Sequence, residues 1–386
     1  MQGLPKKASR EQSKLHNYRL VFKAIYDGGA ISRVDVARLT NLTPTTVSSN
    51  VAILLEEELV QEVGLAPSGG GKPATLLSVL DDGRHLIGLD VAGHELRGTI
   101  INLRGAIRQR QTLALNGGNV LEQLYQLIDQ LLANTHSPVL GIGIGAPGVI
   151  NTTAGVVQQA VNLGWHNLAL RDLLGKRYGL PVYLANDSHV TAIAEHTFGS
   201  QRNAANLVVI NVGRGIGAGI FINGRIVGGD AWGAGEIGHV VVQPHGTLCR
   251  CGHYGCLETV ASTSALLTKL DATQPQSQPW TIAEVQAALA ANDPTVRALV
   301  DEAAYYLGIA IANVVGLLNA QSIILAGSLA QLGNDLLQPL RRSLAQHALQ
   351  TLVAATDVQV STLGSDIVTL GAAALLLANE LGIVRD

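Results

Sequence analysis

Apolar residues recur at helical spacing near the start of the chain, where Leu15, Tyr18, Val21, Phe22 and Ile25 mark one face of a predicted helix over 13–26. Two glycines at 28–29 end this helix, and a serine at 32 is placed to cap a second helix over 33–40. A third helix is predicted from Pro44, which follows a threonine suited to an N-cap. The runs LVQEVGL and KPATLLSVL, joined by a glycine-rich turn, predict a β-hairpin.

From about residue 81 the pattern changes to alternating strands and helices. Apolar strand-like runs include HLIGLDVAG, RGTIINLRG, PVYLAND, NLVVINV and SIILAGS. Helices are predicted over 121–133, 189–199 and 303–321, with a terminal helix after Gly371, and Asn223-Gly224 predicts a tight hairpin turn. Two α/β halves, each opening with a strand hairpin and a glycine turn, indicate a duplicated architecture. A cleft between such halves is the usual place for a small ligand.

Length and charge narrow the class of protein. The chain has 386 residues and 47% hydrophobic residues, enough for two or three cores. We expect neither a signal peptide nor a membrane span, because the N-terminus lacks an apolar stretch and no run of about 18 apolar residues occurs. The expected compartment is therefore the cytoplasm. Residues 1–50 carry a balance of +5 although the whole chain carries −3, which favours a polyanionic partner for the N-terminal part alone.

Residues 1–80 have the element order of an α+β winged helix-turn-helix domain: helix, helix, turn, helix and hairpin. The third helix would enter the major groove of double-stranded DNA, where short polar side chains can reach bases and phosphates. The predicted DNA-binding residues are hydroxyl and amide side chains around this helix, and cations beside it: Thr43, Thr45, Thr46, Ser48, Ser49, Asn50, Arg33, Arg38 and Lys72. The alternative is a small helical appendage used for dimerisation, although a polar helix after a proline turn is less common there.

All three cysteines of the chain lie in the segment GEIGHVVVQPHGTLCRCGHYGCLE. Together with His239, residues Cys249, Cys251 and Cys256 supply one imidazole and three thiolates, which matches a closed tetrahedral zinc site. The alternative of a disulfide plus a free thiol is disfavoured by the odd number of cysteines and the absence of a secretory segment. We therefore predict one structural zinc ion per chain, stapling a loop.

Several motifs together resemble the ROK family (repressors, open reading frames and kinases), on its repressor branch. They are the GEIGH block with CRCGHYGCLE, then GIGIGAPGVI followed by NLGW, and ANDSHVTAIAE. The resemblance covers the whole chain and implies an α/β actin-like ATPase (hexokinase-like) fold in two halves over residues 81–386. We expect residues 81–200 plus the C-terminal helix to form the small half. Residues 201–370 would form the large half with the zinc loop.

The same resemblance implies a sugar site made of Asn186, Asp187, Glu236, His239 and Glu258. One ring nitrogen of His239 would then bind zinc and the other would face a sugar hydroxyl. Carboxylate and amide groups suit a sugar because each hydroxyl both donates and accepts hydrogen bonds. Taken singly, each of these residues has an ordinary structural explanation, such as a helix N-cap, a solvated loop charge or a buried histidine.

The two glycine turns that would hold a nucleotide depart from the kinases of this family. The kinases carry Asp-x-Gly-Gly-Thr-Lys in the first turn, and this chain has Asp90-Val91-Ala92-Gly93-His94-Glu95. Gly213-Arg214-Gly215 replaces the Gly-Thr-Gly of the second turn. We therefore predict a protein that is not an enzyme.

The predicted function is that of a sugar-responsive transcriptional repressor of carbohydrate-utilisation genes. Its expected partners are operator DNA, a monosaccharide effector of the xylose, glucose or amino-sugar class, and further copies of itself in a homodimer or tetramer. An ATP-dependent sugar kinase with a DNA-binding-like appendage is the alternative from the enzyme class. A zinc-stabilised module that docks to a partner protein is a third possibility.

Overall fold

The computed structural model describes residues 9–67 and 73–383. Its N-terminal unit consists of three helices and a small antiparallel sheet of order β1-β3-β2: α1 (Arg10–Gly28), β1 (Ile31–Ser32), α2 (Arg33–Thr40), α3 (Pro44–Glu56), β2 (Val60–Leu65) and β3 (Thr75–Val79). Helix α1 starts three residues earlier than the pattern predicts, because Ser9 and Gln12 form a capping box that the apolar periodicity does not report.

The caps of α2 and α3 are those predicted from the sequence. The Ser32 side chain accepts a hydrogen bond from the Asp35 N–H, and the Thr43 side chain accepts one from the Thr46 N–H. Pro44 occupies the first turn of α3, where its missing N–H costs nothing. Short polar side chains therefore start both helices, and the apolar face of α3 is buried in the N-terminal unit.

The rest of the chain contains two five-stranded sheets with the same strand order. The first has the order β11-β7-β4-β5-β6: β4 (His85–Val91), β5 (Glu95–Asn102), β6 (Ile107–Ala114), β7 (Val139–Ala146) and β11 (Val182–Asn186). The second has the order β14-β13-β12-β15-β16: β12 (Leu207–Val212), β13 (Ile216–Ile222), β14 (Arg225–Ile226), β15 (Ser322–Ala326) and β16 (Asp357–Val360). In each, one strand pairs antiparallel with its hairpin mate and parallel with a later strand. The duplicated architecture is thereby confirmed.

Shorter elements complete the body, the name used for residues 81–383. A three-stranded sheet extends the first half: β8 (Val149–Asn151), β9 (Val156–Ala160) and β10 (Trp165–Leu168). The helices are α4 (Val120–Ala133), α5 (Leu170–Tyr178), α6 (Asp187–Phe198), α7 (Glu258–Ala261), α8 (Thr263–Thr273), α9 (Ile282–Ala290), α10 (Pro294–Leu318), α11 (Asn334–His347), α12 (Gln350–Val353) and α13 (Ile367–Asn379). The β13–β14 turn uses Asn223 and Gly224, both with positive φ, as the sequence predicts.

Helices α6 and α13 pack against each other between the two sheets. Helix α13 lies on β4, β7 and β11, and α6 lies on β12 and β13. The prediction that the terminal helix follows Gly371 is wrong, because α13 already starts at Ile367. Gly371 is an interior contact residue instead: a side chain there would collide with the Val190 carbonyl of α6. A glycine that permits close helix approach was mistaken for a helix boundary.

Helix α10 is longer than the predicted span of 303–321. It starts at Pro294, where the Asp293 side chain accepts hydrogen bonds from two N–H groups, and it ends before Asn319, which has positive φ. Within the described residues it is the one helix whose length and composition would allow a membrane crossing, but half of the apolar window is buried inside the protein. Its packing against α11 identifies it as a core helix.

The N-terminal unit and the body share a hydrophobic core. Polar contacts also bind α1 of the N-terminal unit to the C-terminal end of α13. Arg19 on α1 donates to the backbone carbonyls of Asn379 and Glu380, and Lys23 donates to the Ile383 carbonyl over 2.8 Å. These carbonyls lie at and just beyond the C-terminal end of α13, where cations are favourably placed. The head of the chain is therefore held at the end of the helix that separates the two sheets.

Candidate functional site

Most of the predicted DNA-binding side chains lie along the exposed part of α3. Thr43 and Thr46 contact each other through their hydroxyls over 2.9 Å at the helix start. Ser49 and Asn50 donate back to the carbonyls of Thr45 and Thr46. Ser48 is exposed. The hydroxyl and amide groups keep free lone pairs or protons after making these bonds, so they can still meet bases or phosphates.

The predicted cations differ in their surroundings. Arg33 forms a 3.0 Å ion pair with Glu62 on β2, which ties α2 to the hairpin. Arg38 pairs with Asp35 over 3.2 Å, and its side chain is 74% exposed. Lys72 lies outside the described residues. Of the described pair, Arg38 is the better placed to reach a phosphate.

One side of α3 faces a cleft of about 930 Å³ between the N-terminal unit and the body. Thr45, Thr46, Ser49 and Asn50 line the side formed by α3, with Lys14 and Asn17 of α1 next to them. Arg84, Leu140 and Glu380 of the body line the opposite side. Four of the predicted DNA-binding residues therefore lie beside the junction with the body, and a change at this junction would alter their surroundings.

The structure brings His239, Cys249, Cys251 and Cys256 together. Their four candidate ligand atoms all lie within 4.8 Å of one another. Cys249 Sγ is 3.6 Å from His239 Nδ1, and Cys251 Sγ is 3.6 Å from Cys256 Sγ, so the thiols are free rather than disulfide-bonded. The group can therefore hold a metal ion.

The spacing fits tetrahedral zinc. With a Zn–S distance of about 2.3 Å and a Zn–N distance of about 2.05 Å, tetrahedral geometry separates two sulfurs by about 3.8 Å and a sulfur from a nitrogen by about 3.6 Å. Hydrogen bonds from His253 lower the pKa of the Cys251 thiol to about 6, which favours the thiolate that a metal requires. Both the set of donor atoms and the distances between them suit a structural zinc site with four protein ligands.

Backbone contacts fix the GEIGH segment against the second half. The Ala218 N–H of β13 donates to the Gly235 carbonyl over 2.8 Å, and a side chain at Gly235 would collide with the Ala218 carbonyl. Gly235 also has a φ of 92°, which disfavours other residues. His189 on α6 contacts the Ala234 carbonyl through Nε2 over 2.9 Å. The segment is thus fixed to β13, and the residue before it to α6.

Asn186 and Asp187 stand where β11 ends and α6 begins. Asn186 caps the helix: its side-chain oxygen accepts from the Ser188 N–H over 2.9 Å, and its amide donates to the Gly148 carbonyl over 3.0 Å. Asn186 is thus the N-cap residue, but the Asp187 carboxylate also accepts from the Ser188 N–H over 2.8 Å and from the Ser188 hydroxyl over 3.3 Å. Asp187 lies in the first turn, and burial together with the charges of Glu236 and Glu258 raises its pKa to about 6.

Two of the remaining predicted sugar residues, Glu236 and Glu258, lie near enough for their charges to act on this carboxylate. His239 Nε2 lies 3.9 Å from the Glu236 carboxylate, while its Nδ1 faces Cys249, so the two ring nitrogens serve different neighbours. Glu258 starts α7, and one of its oxygens accepts from the Ile216 N–H over 3.2 Å. Acceptors from α6, the GEIGH segment and α7 therefore converge, an arrangement suited to a polyhydroxylated ligand.

Two residues at this site were not among the predicted ligands. Asp90, at the end of β4, has its pKa raised to about 7 by burial and by the charge of Asp187. Arg250, between two of the cysteines, donates to Glu258 over 3.2 Å. In the sequence, Asp90 belongs to the altered first glycine turn and Arg250 stands between two predicted metal ligands, so neither position indicates a role in sugar binding.

The ROK family model matches residues 86–379. A xylose repressor of Caldicellulosiruptor bescii is 31% identical, covering 95% of this chain and 96% of the repressor. A solved ROK family transcriptional regulator, described as a homolog of E. coli MLC protein, has a TM-score of 0.85 and 29% identity, covering 96% of this chain and 98% of that one.

A relative that is named as a kinase covers less of the chain. A glucokinase of Halalkalibacterium halodurans is 33% identical, covering 77% of this chain and 96% of the kinase. Similarity to proteins named as regulators thus spans nearly the full length, whereas similarity to this kinase does not. The match to the family model and the full-length relatives agree with the duplicated fold, and the chain belongs to the ROK family.

Proposed function

We propose that this protein is a sugar-responsive transcriptional repressor, in which the N-terminal unit binds operator DNA and the body binds a monosaccharide between its halves. The observation that carries the proposal is the similarity over 95% of the chain to a xylose repressor, because it includes the N-terminal unit. The order of helices and hairpin in that unit is that of a winged helix-turn-helix. Helix α3 is then the recognition helix, with Arg33, Arg38 and Lys72 near the phosphates.

The effector is a monosaccharide of the xylose, glucose or amino-sugar class, bound by Asn186, Asp187, Glu236, His239 and Glu258. Zinc, when bound to His239 and the three cysteines, is a structural ion that fixes this loop. The chain's own residues then present the Nε2 atom of His239 and the carboxylates of Glu236 and Glu258 toward Asp187. A ligand that lacks the matching hydroxyls would leave these groups unpaired, which is how such a site selects sugars.

A repressor is favoured over a kinase by the two glycine turns. The exposed Arg214 stands in the second turn, and its charge together with burial lowers the pKa of His94 in the first. Burial is the larger of the two effects. The side chains at both turns therefore differ from the small and hydroxyl residues that cradle nucleotide phosphates.

The direct test measures operator binding by the purified full-length protein with and without xylose, glucose or N-acetylglucosamine. We expect nanomolar-range binding to a fragment of its own upstream DNA, falling about a thousandfold or more between 50 and 200 mM salt if six or more phosphates are contacted. One of the sugars should weaken this binding about 5- to 150-fold. Arg38→Gln should reduce the log–log salt slope by about one, because a single phosphate contact is lost.

The proposal fails if DNA affinity is indifferent to every sugar while the same preparation phosphorylates a hexose with ATP. The kinase alternative would then be correct, and the phosphorylation should be abolished by Asp187→Asn. Salt-independent capture of DNA would also contradict recognition through phosphates.

A short chain of contacts joins the proposed sugar site to the N-terminal unit. Strand β11 ends at Asn186, and Tyr183 on the same strand donates to the Glu380 carboxylate over 2.6 Å. The Glu380 carbonyl in turn accepts from Arg19 on α1 over 3.3 Å. A sugar that moves the end of β11 can therefore act on α1 through Glu380.

Tyr183→Phe tests this connection. We expect sugar affinity and DNA affinity, each measured alone, to stay within about twofold of the wild type, while the sugar-induced loss of DNA binding shrinks about fivefold or more. Tyr178→Phe, which removes a tyrosine hydroxyl bonded to Asp129 and Tyr125 elsewhere in the first half, serves as the control. Full sugar response in Tyr183→Phe would exclude this route.

A further inference from the structure

Arg250 makes side-chain hydrogen bonds to both halves of the body. Its Nη1 atom donates to the Asn162 side-chain oxygen over 3.1 Å, and its Nη2 atom donates to the Glu258 carboxylate over 3.2 Å. Asn162 lies in the one-turn helix Val161–Leu163 of the first half, and Glu258 starts α7 of the second. A planar guanidinium presents its donors in a fixed fork, so a single side chain can span two acceptors in this way.

The neighbourhood of Asn162 connects this bridge to the first glycine turn. A Cβ placed on Gly93 would lie 3.4 Å from the Cβ of Asn162, which is ordinary packing contact. The bridge therefore ends on a segment that rests against the turn between β4 and β5. Movement of the first half relative to the second would have to break or stretch the Arg250–Asn162 bond.

The Glu258 carboxylate is held from two directions. Its Oε2 atom accepts from the Ile216 N–H, and a Cβ at Gly215 would come within 2.6 Å of the same oxygen. Its Oε1 atom accepts from Arg250. Each oxygen keeps a second lone pair, so the carboxylate is oriented and still able to accept from a ligand hydroxyl.

The two partners of the Arg250–Glu258 ion pair differ in burial, and this difference indicates that the pair matters more for the site than for folding stability. The Glu258 side chain is only 14% exposed, whereas that of Arg250 is 68% exposed. An ion pair with one partner so exposed adds little to folding stability. Its value lies in orienting a nearly buried carboxylate next to Asp187 and Glu236, a region otherwise rich in negative charge.

The geometry points to Arg250 as a positioning residue of the sugar pocket, which orients Glu258 and closes the cleft through Asn162. This inference rests on the proposed function, since it assigns Glu258 to sugar binding. The arginine acts through Glu258 and Asn162 and need not touch the sugar itself. Its location between two metal ligands means that folding of the metal loop delivers it to the cleft.

The test compares Arg250→Gln, Arg250→Lys and Asn162→Ala with the wild type in the full-length, zinc-loaded protein. Calorimetry with the sugar that the wild type binds, drawn from xylose, glucose and N-acetylglucosamine, should show about tenfold weaker binding for Arg250→Gln. Arg250→Lys keeps the charge and should recover part of the affinity. Arg342→Gln, at an exposed arginine on α11, is the control and should bind normally.

Hydrogen exchange without sugar supplies a second readout. Peptides from residues 156–168 should exchange faster in Arg250→Gln and in Asn162→Ala, whereas peptides from α11, zinc content and melting temperature should stay as in the wild type. Unchanged exchange in both variants, or sugar affinity of Arg250→Gln within twofold of the wild type, overturns the inference. If the wild type binds none of the sugars, the proposed function itself fails and this inference falls with it.

Discussion

Cys251→Ser is expected to release the metal and to abolish both sugar binding and the sugar response of DNA binding. Structural zinc in small peptide sites contributes about 10–16 kcal/mol of apparent binding free energy, so loss of one of four ligands is a large perturbation. Without the ion, the loop that runs from His239 to Glu258 is no longer held closed. Cys249→Ser should behave in the same way, with a larger loss of stability because Cys249 is buried.

The measurement combines zinc content by mass spectrometry with calorimetric sugar titration and thermal unfolding. His245→Ala, at an exposed histidine in the same loop but outside the cluster, is the matched control and should keep full zinc and sugar binding. A Cys251→Ser protein that retains one zinc per chain and responds normally to sugar would show that the metal assignment is wrong.

Asp187→Asn is expected to weaken sugar binding about 10- to 150-fold, the effect of losing a hydrogen bond to a charged group. The substitution keeps the size of the side chain and removes its charge. Asp172→Asn, at an exposed aspartate in the first turn of α5, provides the comparison and should leave sugar affinity unchanged. Equal loss in both variants would indicate a general effect on the fold.

The pH dependence of the wild type gives a second signature. Since burial raises the pKa of Asp187 to about 6, sugar affinity should fall as pH decreases from 7 to 5 and the carboxylate takes up a proton. Folding stability from the same group changes in the opposite direction. Its pKa is higher in the folded than in the unfolded chain, so stability should rise as pH falls from above 6 toward 4. Asp187→Asn should reduce the slope of both profiles, while Asp90 with its raised pKa still contributes to the stability profile; titration and thermal unfolding can check this.

Local chemistry was predictable wherever one or two residues decide the structure. Ser32, Thr43 and Pro44 fix the starts of α2 and α3, and Asn223-Gly224 fixes the β13–β14 turn. The four candidate metal ligands lie together as their spacing indicates. In each case the requirement is met within a few residues or one loop, so the sequence alone carries it.

Features that depend on distant neighbours were not predictable in the same way. Gly371 resembles a helix boundary until the Val190 carbonyl of α6 is seen to lie against it. In the sequence, Arg250 is one residue of a predicted metal loop. Only the structure shows that Asn162, 88 positions earlier in the chain, lies next to it. The two sheets could be expected from repeated strand patterns, but the contact of α1 with the end of α13 could not.

The contact between α1 and the end of α13 determines when the N-terminal unit can dock during synthesis of the chain. The N-terminal unit leaves the ribosome before the body and can acquire its helices early, because most of its own contacts are local. Its docking partners, the carbonyls at positions 379, 380 and 383, are translated about 360 residues later. A nascent chain therefore carries an undocked N-terminal unit until the residues after α13 have been translated, and the proposed control of DNA binding by the body can begin only then.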